Sequence, residues 1–404
     1  MKTLKTFAIF CLGALLFTAC GEKDSGETSG LVLSADKYDI YNDKDAEDGM
    51  GVATLKLTYN GNPVTDMGSV EFVCFKNGKM VFDILEINGS EVTFSSTELG
   101  KYSFEAMYGT MKSNVARISV LTTPPPAPEV PTDNNKSNLN FKRRVLLTQF
   151  TGTGCPNCPY MVNAIHTLMR TTLANDVVLT AVHLYNENDP AYLAKAPNLD
   201  DAVGVYSYPW ILADLKRTSF YDGELRKCEP TYDYLQPLVQ YAINRTEVKG
   251  GIAVNCEYKP DEGYVMVTAL VKAKSTAEFR IGAWLVEDKV EGTQANKGIT
   301  ADEGVNFDIH NNCVRVAHSA RGYNDFTGFS LGTITSGNSA SQSFALPLLP
   351  NGAKGNAEYW NHENLRVVVF ISTMEEDQRW YVNNVITAPI NGEQDFQYVQ
   401  TMKE

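Results

Sequence analysis

No basic cluster interrupts this chain of 404 residues, which carries a formal charge of −13. That balance argues against nucleic acid or anionic lipid as a partner. No apolar run reaches the length of a membrane-spanning helix; the stretch Phe7–Phe17 falls short. Histidine is scarce, at 5 residues, and none follows the second cysteine of Cys155-Pro156-Asn157-Cys158, where Pro159 stands. Haem attachment through that pair is therefore excluded. A zinc site needs a second ligand pair, and His166 and His183 have the wrong spacing for one. The acidic stretch Asp36–Asp48 lacks the glycine of an EF-hand, because Asp48 stands in its place if Asp43 opens the loop. It reads as a solvated loop. No metal and no cofactor is expected, and no fixed-period repeat runs through the chain.

The first residues read as an export signal. Lys2 and Lys5 precede Phe7–Phe17, the shape of a secretory signal peptide. Leu16-Phe17-Thr18-Ala19-Cys20 resembles a bacterial lipobox, which implies loss of residues 1–19, Cys11 included, and lipidation of Cys20. Acyl chains on Cys20 would anchor the protein to a membrane. Gly21 replaces the aspartate associated with inner-membrane retention, and Glu22-Lys23-Asp24 resembles the acidic tags of surface lipoproteins. The expected location is the outer membrane, on its periplasmic face or the cell surface, where disulfides persist. Secretion with Cys20 unmodified is the alternative.

The chemistry concentrates in Val145–Leu173, where an apolar strand runs into the two cysteines and then a helix. A C-x-x-C turn between strand and helix reads as a redox site. The spacing predicts Cys155 as N-cap with Pro156 at the first helical position. Backbone N–H groups and the helix dipole would then favour the Cys155 thiolate, with Cys158 on the same helix face to close a disulfide. Met161, Ala164, Ile165, Leu168, Met169 and Leu173 follow at helical spacing. A buried strand at Val177–Leu184, a mixed region around Tyr192–Val205, the strand after Tyr208-Pro209 and a helix at Tyr232–Arg245 complete the order found in thioredoxins. In that fold Pro209 would be a cis-proline beside the cysteines. His183, ending a central strand, either stabilises the Cys155 thiolate, shuttles a proton, or is a hydrogen-bonded structural histidine. Tyr206, Tyr208 and Trp210 could form an apolar groove, although core packing accounts for Trp210 equally well.

With 43% hydrophobic residues the chain has room for two or three cores. Residues 1–19 read as signal, 20–30 as a polar tether, and 31–122 as an immunoglobulin-like β-sandwich with strands at Ala53–Tyr59, Ser69–Phe75, Glu91–Phe94, Lys101–Tyr108 and Val115–Val120. Asn60-Gly61, Asn77-Gly78 and Asn88-Gly89 supply turns between them. Residues 123–140, opening on a proline-rich run to Pro131, read as a stiff linker holding its neighbours apart. Residues 141–247 form the thioredoxin-like α/β domain and 248–404 a C-terminal β-sandwich. Cys74, Cys228, Cys256 and Cys313 allow three pairings. Cys256 with Cys313 is the pairing preferred, and Cys74 reads as a buried thiol.

Phe150-Thr151-Gly152 before Cys155, Pro159 after the pair, His183, Tyr208-Pro209 and His310-Asn311-Asn312 with Val314-Arg315 together resemble one lipoprotein group. It is the twenty-eight-kilodalton outer-membrane-protein family of Bacteroidetes, with a thioredoxin-like core. The resemblance runs from about Val145 to the C terminus and omits the N-terminal sandwich. The chain departs from the pattern at Thr148-Gln149, where family members often carry acids; Gln149 cannot relay a proton. The C-x-x-C motif and the exported context read as thiol–disulfide exchange on exported protein thiols and disulfides, with Cys155 attacking and Cys158 resolving; the resemblance itself does not fix the function, adhesion being proposed for some members of the family. The alternative is a surface binding protein or adhesin that keeps the redox fold as scaffold.

Overall fold

The structure is a computed structural model describing residues 30–399, apart from 38, 47–48, 194–195, 197, 218–229, 320–325 and 349–359. The signal, the lipobox with Cys20, and Cys228 lie outside the described residues.

The chain is mainly β-structure arranged in several sheets. Near the N terminus a short alternating period builds two facing sheets. One holds Leu31–Ala35, Ala53–Tyr59, Asn62–Pro63, Leu85–Asn88 and Glu91–Phe94. The other holds Asp39–Tyr41, Val70–Lys76, Lys79–Val81, Gly100–Tyr108, Met111–Lys112 and Ala116–Leu121. Tyr102, Phe104 and Ala106 are buried while the residues between them are half-exposed, the period of a strand with one wet face. They meet Leu55, Leu57, Val92 and Phe94 of the opposite sheet. The hairpin turn at Asn60 (φ 48°) and Gly61 (φ 80°) puts both central residues in the left-handed region, which favours this pair of residue types.

An eight-stranded sheet forms the centre of the rest of the chain. Its order is Trp210–Ala213, Val145–Thr151, Val177–His183, Cys313–His318, Ala277–Glu287, Leu365–Met374, Trp380–Pro389, with Phe329–Ile334 also paired to Ala277–Glu287. Val145–Thr151 runs parallel to Val177–His183, and all 7 of its residues are buried, as for a strand covered on both faces. Helices Cys158–Met169 and Tyr232–Arg245 bring Met161, Ile165, Leu168, Leu235, Leu238 and Val239 into that core.

The expected boundary at 247/248 divides this sheet. Ala181 pairs with Cys313, and Ala181 N donates to Asn312 O at 2.7 Å, which carries the hydrogen bonding across it. Trp284, Val286, Val314, Phe370 and Val382 share one core with Leu146 and Phe150. Alternate residues of Ala277–Glu287 serve two cores: Trp284 and Val286 face this one, while Ile281, Ala283 and Leu285 face the next. That second core lies between the large sheet and a four-stranded sheet of Ser339–Pro347, Tyr264–Ala273, Gly250–Lys259 and Gly392–Gln394. The large sheet curls until its ends meet, where Val382 N donates to Asp214 O at 3.1 Å.

The linker does not hold its neighbours apart; it lies on the outer face of the four-stranded sheet. Prolines offer carbonyls and no N–H groups, and the sheet supplies the donors. Tyr264 Oη donates to Thr122 O (2.6 Å), Thr268 Oγ1 to Pro128 O (2.7 Å) and Asn255 Nδ2 to Glu129 O (2.8 Å). Lys272 Nζ, on a residue only 1% exposed, reaches Asn135 O (3.0 Å), Lys136 O (2.7 Å) and the Asp133 carboxylate (2.8 Å). This cover explains why Tyr264–Ala273 is buried along its whole length instead of alternating.

Candidate redox site

The central strand Val145–Thr151 ends at Gly152, and the chain makes two tight turns before the helix. Cys155 N donates to Gly152 O (3.0 Å) and Cys158 N to Cys155 O (3.2 Å). Cys155 and Cys158 are joined in a disulfide with Cα atoms 5.4 Å apart. The helix starts later than its spacing predicts. Asn157 is the N-cap, Cys158 opens the helix and Pro159 sits in its first turn. Cys155 and Pro156 belong to the preceding turns, so Cys158 rather than Cys155 heads the helix. Both cysteines are buried, Cys155 at 1% and Cys158 at 0% exposure.

Phe150 pairs with Trp210, which sets Pro209 beside the end of the strand that leads into the cysteine turn. The Tyr208–Pro209 peptide is cis. The aromatic residues around it divide by burial: Trp210 is core, Tyr206 is 68% exposed. Tyr208 donates to the Asp200 carboxylate and meets Tyr185 edge-to-face at 5.7 Å. Thr148, in the strand before the turn, shares a hydroxyl–hydroxyl hydrogen bond of 3.0 Å with Thr180. Gln149 beside it is buried.

His183 lies opposite Thr151 in register, but its ring nitrogens are engaged elsewhere than at Cys155. Nδ1 is 2.9 Å from Asp189 Oδ2, and Nε2 is 3.7 Å from Cys313 Sγ. Asp189 Oδ2 also accepts Thr153 N–H of the turn that carries the cysteines (2.6 Å), and Oδ1 accepts Ala191 N–H (2.8 Å). Asp189 thereby ties the turn to a buried Asp189–His183–Cys313 row. Burial alone would lower the His183 pKa, but the Asp189 charge and the Cys313 contact raise it to about 10. Burial likewise disfavours the Asp189 carboxylate, yet His183 and the two N–H donors hold it below the usual range. His310 packs edge-on to His183, with ring centroids 5.2 Å apart, and its Nε2 donates to Gly292 O at 2.9 Å. Burial, then the neighbouring His183 charge, press its pKa down to about 4.

The turn is crowded from two sides. A Cβ on Gly152 would stand 2.4 Å from Tyr185 Cβ, so that position needs glycine, while one on Gly154 would displace the Asn186 carboxamide, 2.3 Å away. From the other side comes 292–297. The two N–H groups of Gln294 Nε2 are shared among the carbonyls of Gly152 (3.2 Å), Thr153 (3.1 Å), Cys155 (2.9 Å) and, on its own segment, Ala295 (3.0 Å). Neither Asp189 nor Gln294 belongs to a sequence motif, and no spacing links them to the cysteines.

Cys256 and Cys313 are not paired; both are free and buried, as is Cys74. Cys256 faces the core between the two C-terminal sheets, while Cys313 clusters with Ala191 and Val290 beside His183. Burial pushes the Cys256 thiol up to about 12 and the Cys74 thiol up to about 11. Among the described residues no group of His, Cys, Asp and Glu is arranged to hold a metal ion.

No protein-family model matches the chain, and no curated protein matches it. Among solved structures it is similar to the Yersinia pseudotuberculosis adhesin InvE, at 10% identity and TM-score 0.18, over 89% of this chain and 59% of that one. It is also similar to domains 4–9 of the surface layer protein SbsC, at 10% identity and TM-score 0.17, over 90% of this chain and 51% of that one. The chain thus spans about half to three-fifths of those chains. At these TM-scores neither likeness bears on fold or function.

Proposed function

We propose that Cys155 and Cys158 are a reversible dithiol–disulfide pair in a thioredoxin-like unit, exchanging thiols and disulfides with exported proteins. The observation that carries this reading is the disulfide itself, set where a central strand turns into a helix. A loop of so few residues gives little entropic stabilisation, which weakens a purely structural role. The element order, with Pro209 opening the neighbouring strand, supports the same reading. In the reductive direction the Cys155 thiolate attacks a substrate disulfide and one substrate thiolate leaves. Cys158 then attacks Cys155 Sγ, releasing the second substrate thiolate and leaving the pair oxidised. The reverse sequence oxidises a substrate dithiol. Lipid anchoring through Cys20 in the outer membrane belongs to the same proposal and rests on the lipobox-like sequence. In membranes of the native host, Cys158→Ser should accumulate mixed disulfides through Cys155, and Cys155→Ser should abolish exchange. A Cys158→Ser protein that traps no partner would count against the reading.

One observation favours a second reading, a surface binding protein on a redox-like scaffold: both cysteines are buried in this structure. Ligand binding that survives replacement of both cysteines by serine would support that reading instead.

A further inference from the structure

We propose that segment 292–297 is a removable cover occupying, within the chain, the surface where an extended polypeptide partner docks on the redox turn. Gln294 is its latch. The inference rests on Cys155–Cys158 being an exchange pair, and it names the class of partner that reaches it.

The redox turn offers acceptors. Thr153 N–H is taken by Asp189 and Cys155 N–H by Gly152 O, and Pro156 has no N–H. Beside them stand the carbonyls of Gly152, Thr153, Cys155 and Pro156, of which Gly152 O and Cys155 O also accept Cys155 N–H and Cys158 N–H within the turn. The cover answers with donors at the spacing of an extended backbone: Ala295 N to Thr153 O (2.7 Å) and Lys297 N to Pro156 O (3.1 Å). The Gln294 carboxamide bridges three of the carbonyls. A polypeptide in extended form, with a donor side chain one residue ahead of two alternate backbone N–H groups, is what this row fits.

The cover is held lightly. Gln294 is its only buried side chain, while Gly292, Thr293, Ala295, Asn296 and Lys297 are half-exposed or exposed. Segments without buried apolar contacts open at low free-energy cost. Its ends are fixed. His310 Nε2 and Asp308 O hold Gly292 at 2.9 and 3.0 Å, and Asn163 binds Thr300 O (2.9 Å) and Asp302 N (3.1 Å). Between these anchors Gln294 N also donates to Asp308 Oδ1 (2.8 Å), and the stretch from the Gln294 side chain to Lys297 is joined to the turn by hydrogen bonds alone.

The test uses the chain without its signal and compares wild type with Gln294→Ala and Asn163→Ala, the latter releasing the far anchor. Two rates are read: reduction of the disulfide by a water-soluble phosphine, and alkylation of the reduced pair by iodoacetamide. Both variants should react faster, Gln294→Ala by roughly tenfold on both rates, for the loss of a multiply hydrogen-bonded amide. A synthetic peptide of residues 291–299, added to Gln294→Ala, should slow both reactions again. Unchanged rates in both variants with near-UV circular dichroism intact, or a peptide without effect, would overturn the proposal. Failure of the exchange reading is distinguishable, because a reduction potential typical of structural disulfides would leave the rate contrast between variants in place.

Discussion

Asp189 holds the His183 imidazole 2.9 Å from one carboxylate oxygen, and that same oxygen takes the Thr153 N–H of the cysteine-bearing turn. A single buried carboxylate therefore fixes both the histidine and the turn. His183 cannot act as a free base toward Cys155 while its ring nitrogens face Asp189 and Cys313.

The two neighbouring histidines make stability depend on pH in opposite directions. The His183 pKa is raised from 6.5 to about 10 on folding, so its contribution is full below 6.5 and is lost as pH rises through 10. The His310 pKa is lowered from 6.5 to about 4, so its contribution is full above 6.5 and is lost as pH falls through 4. For these two groups stability peaks near pH 6.5. Urea titrations across the range should show that His183→Gln flattens the alkaline limb and His310→Gln the acid limb. Variants that leave both slopes untouched would remove this network from the account.

Mass-spectrometric mapping should find Cys155 linked to Cys158, with Cys74, Cys256 and Cys313 as thiols that alkylate only after unfolding. A Cys256–Cys313 link would contradict the placing of these residues in different clusters.

Arg315 and Glu287 form a buried ion pair of 2.6 Å, and Arg315 Nη1 also donates to Pro190 O beside Asp189 (2.7 Å). Removing one partner strands a buried charge, so Arg315→Met and Glu287→Leu should each cost about 3–5 kcal/mol. The double variant should cost less than either single one. Denaturant unfolding of the three proteins checks this, and additive losses would refute it.

Lys272 clamps the linker through Asp133, Asn135 and Lys136. Lys272→Met should free it, and limited proteolysis should then cleave between 123 and 140 faster than in wild type. Equal cleavage would mean that the linker is held by other contacts.

Local signals in the sequence carried the strands and helices well where period and turn chemistry were strong. Ala53–Tyr59, Glu91–Phe94 and Tyr232–Arg245 have the bounds their patterns predict. The turn cysteines and Pro209 were legible because their spacing is itself the signal. The helix start was not, since Pro156 and Pro159 both suit a first helical turn and only the 152–158 turn bonds decide between them. The continuity of the large sheet was hidden because Ala181 and Cys313 are joined by pairing alone, 132 residues apart in chain numbering (313 − 181). Asp189 and Gln294 were hidden for the same reason: each is an ordinary loop residue until tertiary structure places it against the turn. The linker reads as extended from its prolines, but the donors that pin it come from strands far along the chain.

The most direct test is the equilibrium reduction potential of Cys155–Cys158 in the protein without signal or lipid. A value between about −270 and −120 mV, the range of working oxidoreductases, is expected. A value below about −300 mV would mark a structural disulfide and contradict the exchange reading.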